Sequence, residues 1–370
     1  MKLEELEYTL PEELIAQVPA EPRDASRLLV AVGTGARLRL DDRRFRELPC
    51  LLRAGDVLVR NDTRVIPARA HFRRETGGRV ELLFLERPPQ PATVRRSADD
   101  RRSDSWEVLA RGRLRGGETL RSEAAPGAFA VEVGDRLGGG RWQVQRAAGP
   151  GEPIARLLGR YGETPLPPYV KTALADPERY QTVYARLPGS AAAPTAGLHF
   201  TPALDGALRA AGVAIEHLTL HVGLATFKPV TVARVEDHPL HDEPFVVDPA
   251  VLERIAAARA AGRRVVAVGT TMVRLLEELG SGRPLTTRRS DGGLLEGRTG
   301  LFITPGHEFA TVDGVITNFH LPRTSLLALV MAFCGVDETR RIYAHAIERR
   351  YRFYSFGDAM LAWRGGEAPP

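Results

Sequence analysis

Val265-Val266-Ala267-Val268-Gly269-Thr270-Thr271 runs four apolar residues into a glycine and then two hydroxyls. Apolar side chains on both faces predict a buried strand, and the glycine lets it turn straight into a helix that extends to about Leu279. The unit recurs at Gly314-Val315-Ile316-Thr317, followed by a loop and an apolar helix from Thr324 to Phe333. Upstream, Ala210-Ala211-Gly212 closes a helix and leads into a strand from Val213 to Val222. Asp248-Pro249 opens another helix as cap plus first-turn proline, and Gly262 ends it. Strand, loop and helix in succession predict a layered, largely parallel sheet, with ligands expected beyond the carboxyl ends of its strands.

The texture differs elsewhere. Residues 1–62 carry a helix signal, Leu10-Pro11-Glu12-Glu13-Leu14, and a strand at Asp56-Val57-Leu58-Val59. From about Val65 to Arg146 the pattern is short and alternating, as in Arg79-Val80-Glu81-Leu82-Leu83-Phe84 and Phe129-Ala130-Val131-Glu132-Val133, with glycine-rich turns between runs. Such spacing suggests a small barrel or sandwich. The expected organisation is a layered α/β/α domain from residues 1–63 and 151–370, with a β-barrel-like domain inserted at 64–150. Pro88 to Ser105, almost free of apolar residues, reads as a mobile polar loop inside it.

With 370 residues, 43% hydrophobic and 26% charged, the chain can bury two cores. No run of eighteen apolar residues exists, and the acidic start Met1-Lys2-Leu3-Glu4-Glu5 is not a secretory signal. Cys50 and Cys334 form no disulfide or zinc pattern, which points to a reduced, cytoplasmic protein. Lysine occurs only at Lys2, Lys171 and Lys228, so the net charge of +5 is carried by arginine. That charge favours an anionic partner only mildly, and doublets such as Arg73-Arg74 and Arg349-Arg350 suit a solvated surface as well as nucleic acid.

Several segments could carry chemistry. His217-Leu218-Thr219-Leu220-His221 alternates, so on a strand both histidines and Thr219 share one face. His238 and His241 lie near in sequence, but no HExxH or cysteine cluster completes a zinc set. Gly269-Thr270-Thr271 offers free helix amides to a carboxylate or phosphate, although capping by Thr270 accounts for it equally well. Asn318-Phe319-His320 and Asn61-Asp62-Thr63-Arg64 place polar groups just after apolar strands. A polar cleft in a two-domain enzyme follows, without a reaction.

These segments also resemble a known family. Asn61-Asp62-Thr63-Arg64-Val65-Ile66-Pro67-Ala68-Arg69, Ala193-Pro194-Thr195-Ala196-Gly197-Leu198-His199-Phe200, Leu218-Thr219-Leu220-His221-Val222-Gly223-Leu224, Ala267-Val268-Gly269-Thr270-Thr271 and Thr317-Asn318-Phe319-His320-Leu321-Pro322 are similar to motifs of the S-adenosylmethionine:tRNA ribosyltransferase-isomerases of queuosine biosynthesis. Glu21 to Leu29 and Phe356 to Leu361 agree as well, so the likeness spans nearly the whole chain except Pro88 to Arg146. Arg60 stands where the family typically has an apolar residue.

The resemblance implies transfer and isomerisation of the ribosyl part of S-adenosylmethionine onto 7-aminomethyl-7-deazaguanine at the tRNA wobble position. Epoxyqueuosine, adenine and methionine are the products, S-adenosylmethionine is a consumed co-substrate, and no metal is expected. A base must take a proton from C5′ and an acid must meet the departing adenine. His199, His221 and His320 are candidates for either role, with Asp62 as an alternative acid. Gly269, Thr270, Thr271, Arg274, Arg64, Thr195, Gly197 and Asn318 are candidates for holding S-adenosylmethionine. Arg73, Arg74, Arg349, Arg350 and Tyr354 are candidates for tRNA, on a monomer without membrane contact. The rival reading is a noncatalytic RNA-binding protein using the β domain as its platform.

Overall fold

The computed structural model describes residues 1–86, 104–147, 151–167, 169–172, 174, 176–223, 229–239, 242–282, 287–290 and 292–364. They form two compact units: Met1–Arg64 with Pro168–Leu187 and Ala193–Pro370, and Val65–Pro167 with Pro188–Ala192. In chain order the strands begin with β1 (Arg27–Val32), β2 (Arg39–Arg44), β3 (Val57–Asn61) and the short β4 (Thr63–Val65). β5 (Arg69–Arg74), β6 (Arg79–Glu86), β7 (Ser105–Arg111), β8 (Thr119–Ser122), β9 (Ala130–Gly138) and β10 (Arg141–Arg146) follow. Then come β11 (Leu187–Ser190), β12 (Ala214–Leu220), β13 (Glu243–Val247), β14 (Val265–Val268), β15 (Thr287–Arg289), β16 (Leu295–Thr299), β17 (Gly314–Asn318) and β18 (Ala359–Trp363). The helices are α1 (Ile154–Tyr161), α2 (Pro202–Ala210), α3 (Pro249–Ala260), α4 (Thr270–Gly280), α5 (Ser325–Cys334) and α6 (Val336–Glu348).

The first unit is built on a ten-stranded sheet in the order β15-β16-β13-β12-β3-β14-β17-β18-β1-β2. Only β12, β3, β14 and β17 form a continuous parallel block. The flanks are antiparallel, apart from the parallel pairing of β18 with β1, so the sheet is mixed rather than largely parallel. Apolar runs mark burial but carry no direction, which is why the flanks escaped the sequence reading. Every residue of β3 and β14 is buried, as strands covered on both faces require. On one side Val266, Val268, Ile316 and Leu361 share a core cluster with Leu204 and Leu208 of α2 and with Phe45 and Leu48.

Helix ends follow the sequence signals. The Asp248 side chain accepts from Ala250 N at the start of α3, and the Thr324 hydroxyl accepts from Leu327 N at the start of α5. The expected strand from Val213 to Val222 is shorter, Ala214–Leu220. Leu10 to Leu14 yields one 3-10 turn, Glu12–Leu14, because proline and two acids start a helix but no apolar period sustains one.

The second unit contains a closed six-stranded barrel, β10-β7-β6-β5-β8-β9. Phe72, Phe84, Phe129 and Trp106 fill it, with Phe72 and Phe129 edge to face at 5.1 Å. Ile154, Leu157 and Leu158 of α1 join the same core, so this unit extends past residue 150 to Pro167. Gly162 ends α1 where a Cβ would lie 2.0 Å from the Pro67 carbonyl oxygen, so no other residue fits there without displacing backbone. Of the expected polar loop, residues 88–103 lie outside the described residues. Asp104 and Ser105 are ordered, and Asp104 Oδ2 accepts from Ile154 N at 2.8 Å.

Candidate functional site

A cleft opens beyond the carboxyl ends of β14 and β17. Thr195, Gly269, Thr270, Thr271, Asn318, His320 and Tyr354 line it, with Val222, Thr317 and Ser355 among their neighbours. Its enclosed part is about 30 Å³, room for a water-sized or carboxylate-sized group. Gly269 sits at φ 89°, a left-handed conformation that glycine adopts without strain, and this aims the start of α4 into the cleft. α4 has no side-chain cap: Thr270 lies inside the helix, so capping by Thr270 does not account for the motif. Met272 N donates to the Gly269 carbonyl at 3.0 Å, which leaves the Thr270 and Thr271 amides as the open donors of the first turn, and the buried Thr271 Oγ1 has no hydrogen-bond partner.

Behind the cleft runs a hydrogen-bonded chain. Ser26 Oγ lies 2.8 Å from His199 Nδ1, and Asn318 Nδ2 lies 3.2 Å from His199 Nε2. Thr195 Oγ1 donates to Asn318 Oδ1 at 2.9 Å. Burial, aided by Arg352 and Arg23, lowers His199 to about 3. His320 is also lowered to about 3, by burial alone, so both rings are neutral over the physiological range. Thr317 Oγ1 lies 2.9 Å from His320 Nε2. The His320 backbone is held on both sides: its N–H donates to Tyr343 Oη at 3.1 Å, and its carbonyl accepts from Tyr8 Oη.

Asp62 and His217 belong to another cavity, of about 360 Å³, which Tyr184, Arg186, Glu216, Thr219 and Arg254 also line. Asp62 Oδ2 accepts from Arg186 Nε at 2.9 Å and Asp62 Oδ1 from the Thr219 hydroxyl. His217 and Thr219 share that face, as the alternation predicts. His221 lies past the strand end, with its Nδ1 2.8 Å from Thr63 Oγ1, and burial lowers its pKa. Among the described residues Arg60 heads the fully buried large side chains. Its guanidinium makes two bonds to Asp205, at 2.6 and 3.0 Å, donates to His217 Nε2 at 2.9 Å and lies 3.8 Å from the Tyr184 ring centre. Burial first, then the Arg60 charge, lowers His217 to about 4.

Arg274, Arg64 and Gly197, candidates for holding S-adenosylmethionine, fall outside the cleft lining. Arg274 is buried, with Nη1 2.6 Å from Glu243 Oε2 and Nε donating to the Leu301 carbonyl at 2.8 Å. Arg64 pairs with Glu178. Gly197 packs where a Cβ would stand 2.2 Å from Tyr184 Oη, so close packing accounts for this glycine. Arg73 and Arg74 pair with Glu123 at 2.9 Å and Glu118 at 3.4 Å, which offsets their charge on the barrel. Arg349 and Arg350 are exposed, whereas Tyr354 is 3% exposed and lines the cleft.

Ser26, Thr317 and Asp358 all stand in the quoted motifs but carry no local signal that marks them as site residues. Asp358 Oδ1 accepts from Arg27 N at 2.9 Å and Oδ2 from Arg352 N at 2.8 Å, tying both ends of the chain together. Among the described residues no three His, Cys, Asp or Glu converge as a metal site would need, and no helix is long and apolar enough to cross a membrane. His241 lies outside the described residues.

The family described as queuosine biosynthesis protein matches residues 3–362. A relative from Rubrobacter xylanophilus, named S-adenosylmethionine:tRNA ribosyltransferase-isomerase, is 49% identical across 100% of this chain and 99% of its own. One of the same name from Moorella thermoacetica is 48% identical across 98% and 99%. The crystal structure of an S-adenosylmethionine tRNA ribosyltransferase from Thermotoga maritima is 34% identical, covers 97% of this chain and 99% of its own, and superposes with a TM-score of 0.52. Full-length agreement in sequence and fold makes this chain a member of the queuosine biosynthesis protein family, an enzyme family whose relatives named here are S-adenosylmethionine:tRNA ribosyltransferase-isomerases.

Proposed function

We propose that the chain transfers and isomerises the ribosyl group of S-adenosylmethionine onto 7-aminomethyl-7-deazaguanine at the tRNA wobble position, releasing adenine and methionine and leaving epoxyqueuosine. The observation that carries this reading is the meeting of an uncapped helix start, the orphaned Thr271 hydroxyl and a neutral histidine, His320, in one cleft. The first two suit the methionine carboxylate: amides at a helix N-terminus bind anions, and a buried hydroxyl gains a partner. His320 suits the C5′ base, since its ring is unprotonated at working pH and the sulfonium acidifies the adjacent carbon. His221, adjacent to cleft-lining Val222, is the group offered for proton transfer to adenine. Asp62 fits that role less well, because both of its oxygens are engaged in the other cavity. S-adenosylmethionine is spent as a substrate in this scheme, and no step calls for a metal. tRNA docks through exposed arginines, of which Arg349 and Arg350 are the strongest candidates.

The test is incubation of the full chain with S-adenosylmethionine and precursor-bearing tRNA. Adenine and methionine should appear, with a tRNA mass gain matching an epoxycyclopentanediol and a rate indifferent to chelator. Methyl transfer, or zinc-restored activity after chelation, refutes the reading. His320→Ala should lower kcat by about 10²–10⁴-fold while the fold survives. A lowered melting temperature with unchanged activity per folded molecule assigns His320 to packing instead.

A further inference from the structure

We infer that His199 is a positioning residue, locking the Asn318 carboxamide so that Asn318 Oδ1 and the Thr195 hydroxyl offer an acceptor edge to the ribose hydroxyls of the donor substrate. This rests on the S-adenosylmethionine reading of the cleft. The protons of the buried chain can be assigned from one end. The Asp358 backbone carbonyl only accepts, and it lies 3.4 Å from Asn318 Nδ2. Oδ1 is then the atom facing Thr195 Oγ1 at 2.9 Å, and the hydroxyl must donate to it. The other hydrogen of Nδ2 points to His199 Nε2 at 3.2 Å, so Nε2 carries the lone pair. Nδ1 therefore carries the ring hydrogen and donates it to Ser26 Oγ at 2.8 Å.

Both ring nitrogens of His199 are thus committed to protein groups. The ring is 4% exposed, stacks on Phe45 with centroids 4.9 Å apart, and is not among the residues lining the cavity. Proton exchange with a substrate would break bonds on both of its edges. Holding Asn318 uses every bond it has. Thr195 gives its hydrogen to Asn318 and so turns only lone pairs to the cleft, and Asn318 Oδ1 keeps a second lone pair. Acceptors require a donor on the ligand. The ribose hydroxyls are the donors closest to C5′, and Asn318 follows Thr317, the partner of His320.

The experiment is calorimetric titration of the full chain with S-adenosylmethionine and its 2′-deoxy and 3′-deoxy analogues, alongside adenine release across pH. Wild type should prefer the parent compound to at least one deoxy analogue by about tenfold, the worth of one good hydrogen bond. His199→Ala should lose about that factor for the parent and with it the discrimination, so that the two losses are not additive. His199→Gln, whose Oε1 can accept from Asn318 Nδ2, should restore most of the affinity and leave the pH profile of kcat/KM unchanged in shape. Additive losses overturn the inference. So does a His199→Gln variant that binds normally but loses a limb of the profile and about 10³-fold in kcat, the mark of direct proton transfer. Should His199→Ala fail to fold, Ser26→Ala removes only the Nδ1 partner and must weaken binding in the same hydroxyl-dependent way, or the inference falls. Normal binding without adenine release refutes the reaction and leaves the positioning role standing, whereas no binding by wild type ends both.

Discussion

Replacing Thr271 by valine separates a ligand-binding hydroxyl from a structural one. Thr271 Oγ1 is buried at the start of α4 and has no partner, so the folded protein already bears the cost of desolvating it. A buried polar group without a hydrogen bond costs about 1–3 kcal/mol, and an isosteric methyl removes that cost. Thr271→Val should therefore leave stability unchanged or raise it by about 1 kcal/mol. In the complex the hydroxyl donates to a carboxylate, and a hydrogen bond to a charged group is worth about 1.5–3 kcal/mol. Affinity for S-adenosylmethionine should then fall by about 10- to 150-fold, since 1.4 kcal/mol is tenfold. Urea unfolding and calorimetric titration of the same preparation read both effects. Opposite signs, stability up and affinity down, are the expected pair. A lower stability together with unchanged affinity would show that the hydroxyl serves the fold, and the carboxylate assignment at α4 would be abandoned.

Acid should destabilise the chain through its buried histidines. His199 and His320 are depressed to about 3, so the unfolded state, titrating near 6.5, binds protons that the native state refuses. Their contribution is complete above about pH 6.5 and falls by about 1.4 kcal/mol per histidine for each unit below it, down toward pH 3. Unfolding free energies from pH 7.5 to 5 should show that slope, and a flat profile contradicts neutral burial. Arg60→Leu should cost about 3–5 kcal/mol by leaving Asp205 buried without its charge partner, and Arg60→Leu with Asp205→Leu should recover most of it. Parent-like urea stability of the single variant refutes that account. Arg349→Glu with Arg350→Glu should weaken tRNA binding and flatten its salt dependence, with S-adenosylmethionine affinity unchanged. An intact salt slope moves the docking surface elsewhere.

Local signals were the legible part of the fold. The cap at Asp248, the helix start near Thr324 and the turn at Gly269 depend on neighbours within four residues, and each is found where the local signal puts it. Alternation also disclosed the barrel, because one face of each strand had to be apolar. Pairing direction and long-range partners were not legible. Arg60 meets Asp205 from 145 positions away, and Arg274, which looked suited to a carboxylate ligand, meets Glu243 from 31 away. Tyr354 is the candidate plane for a base near the cleft, and it does line the cleft, but its ring is buried and packs edge to face with Tyr169 at 4.0 Å. His199 and His320 look alike as motif histidines. One faces the cleft and the other does not, and only the neighbours of their rings separate them.

β18 lies between β17 and β1, so the hairpin of β1 and β2 has no other route into the sheet. During synthesis that hairpin leaves the ribosome early and waits, with its apolar residues uncovered, until residues 359–363 have been made. The barrel, by contrast, pairs only strands between residues 69 and 146 and can close while the rest is still being translated. Ser26 and Asp358 reach Asn318 and its neighbours only in that final step. A nascent chain stalled before β18 therefore exposes an open strand edge and an unfinished cleft, a form that chaperones and proteases can recognise before any substrate is consumed.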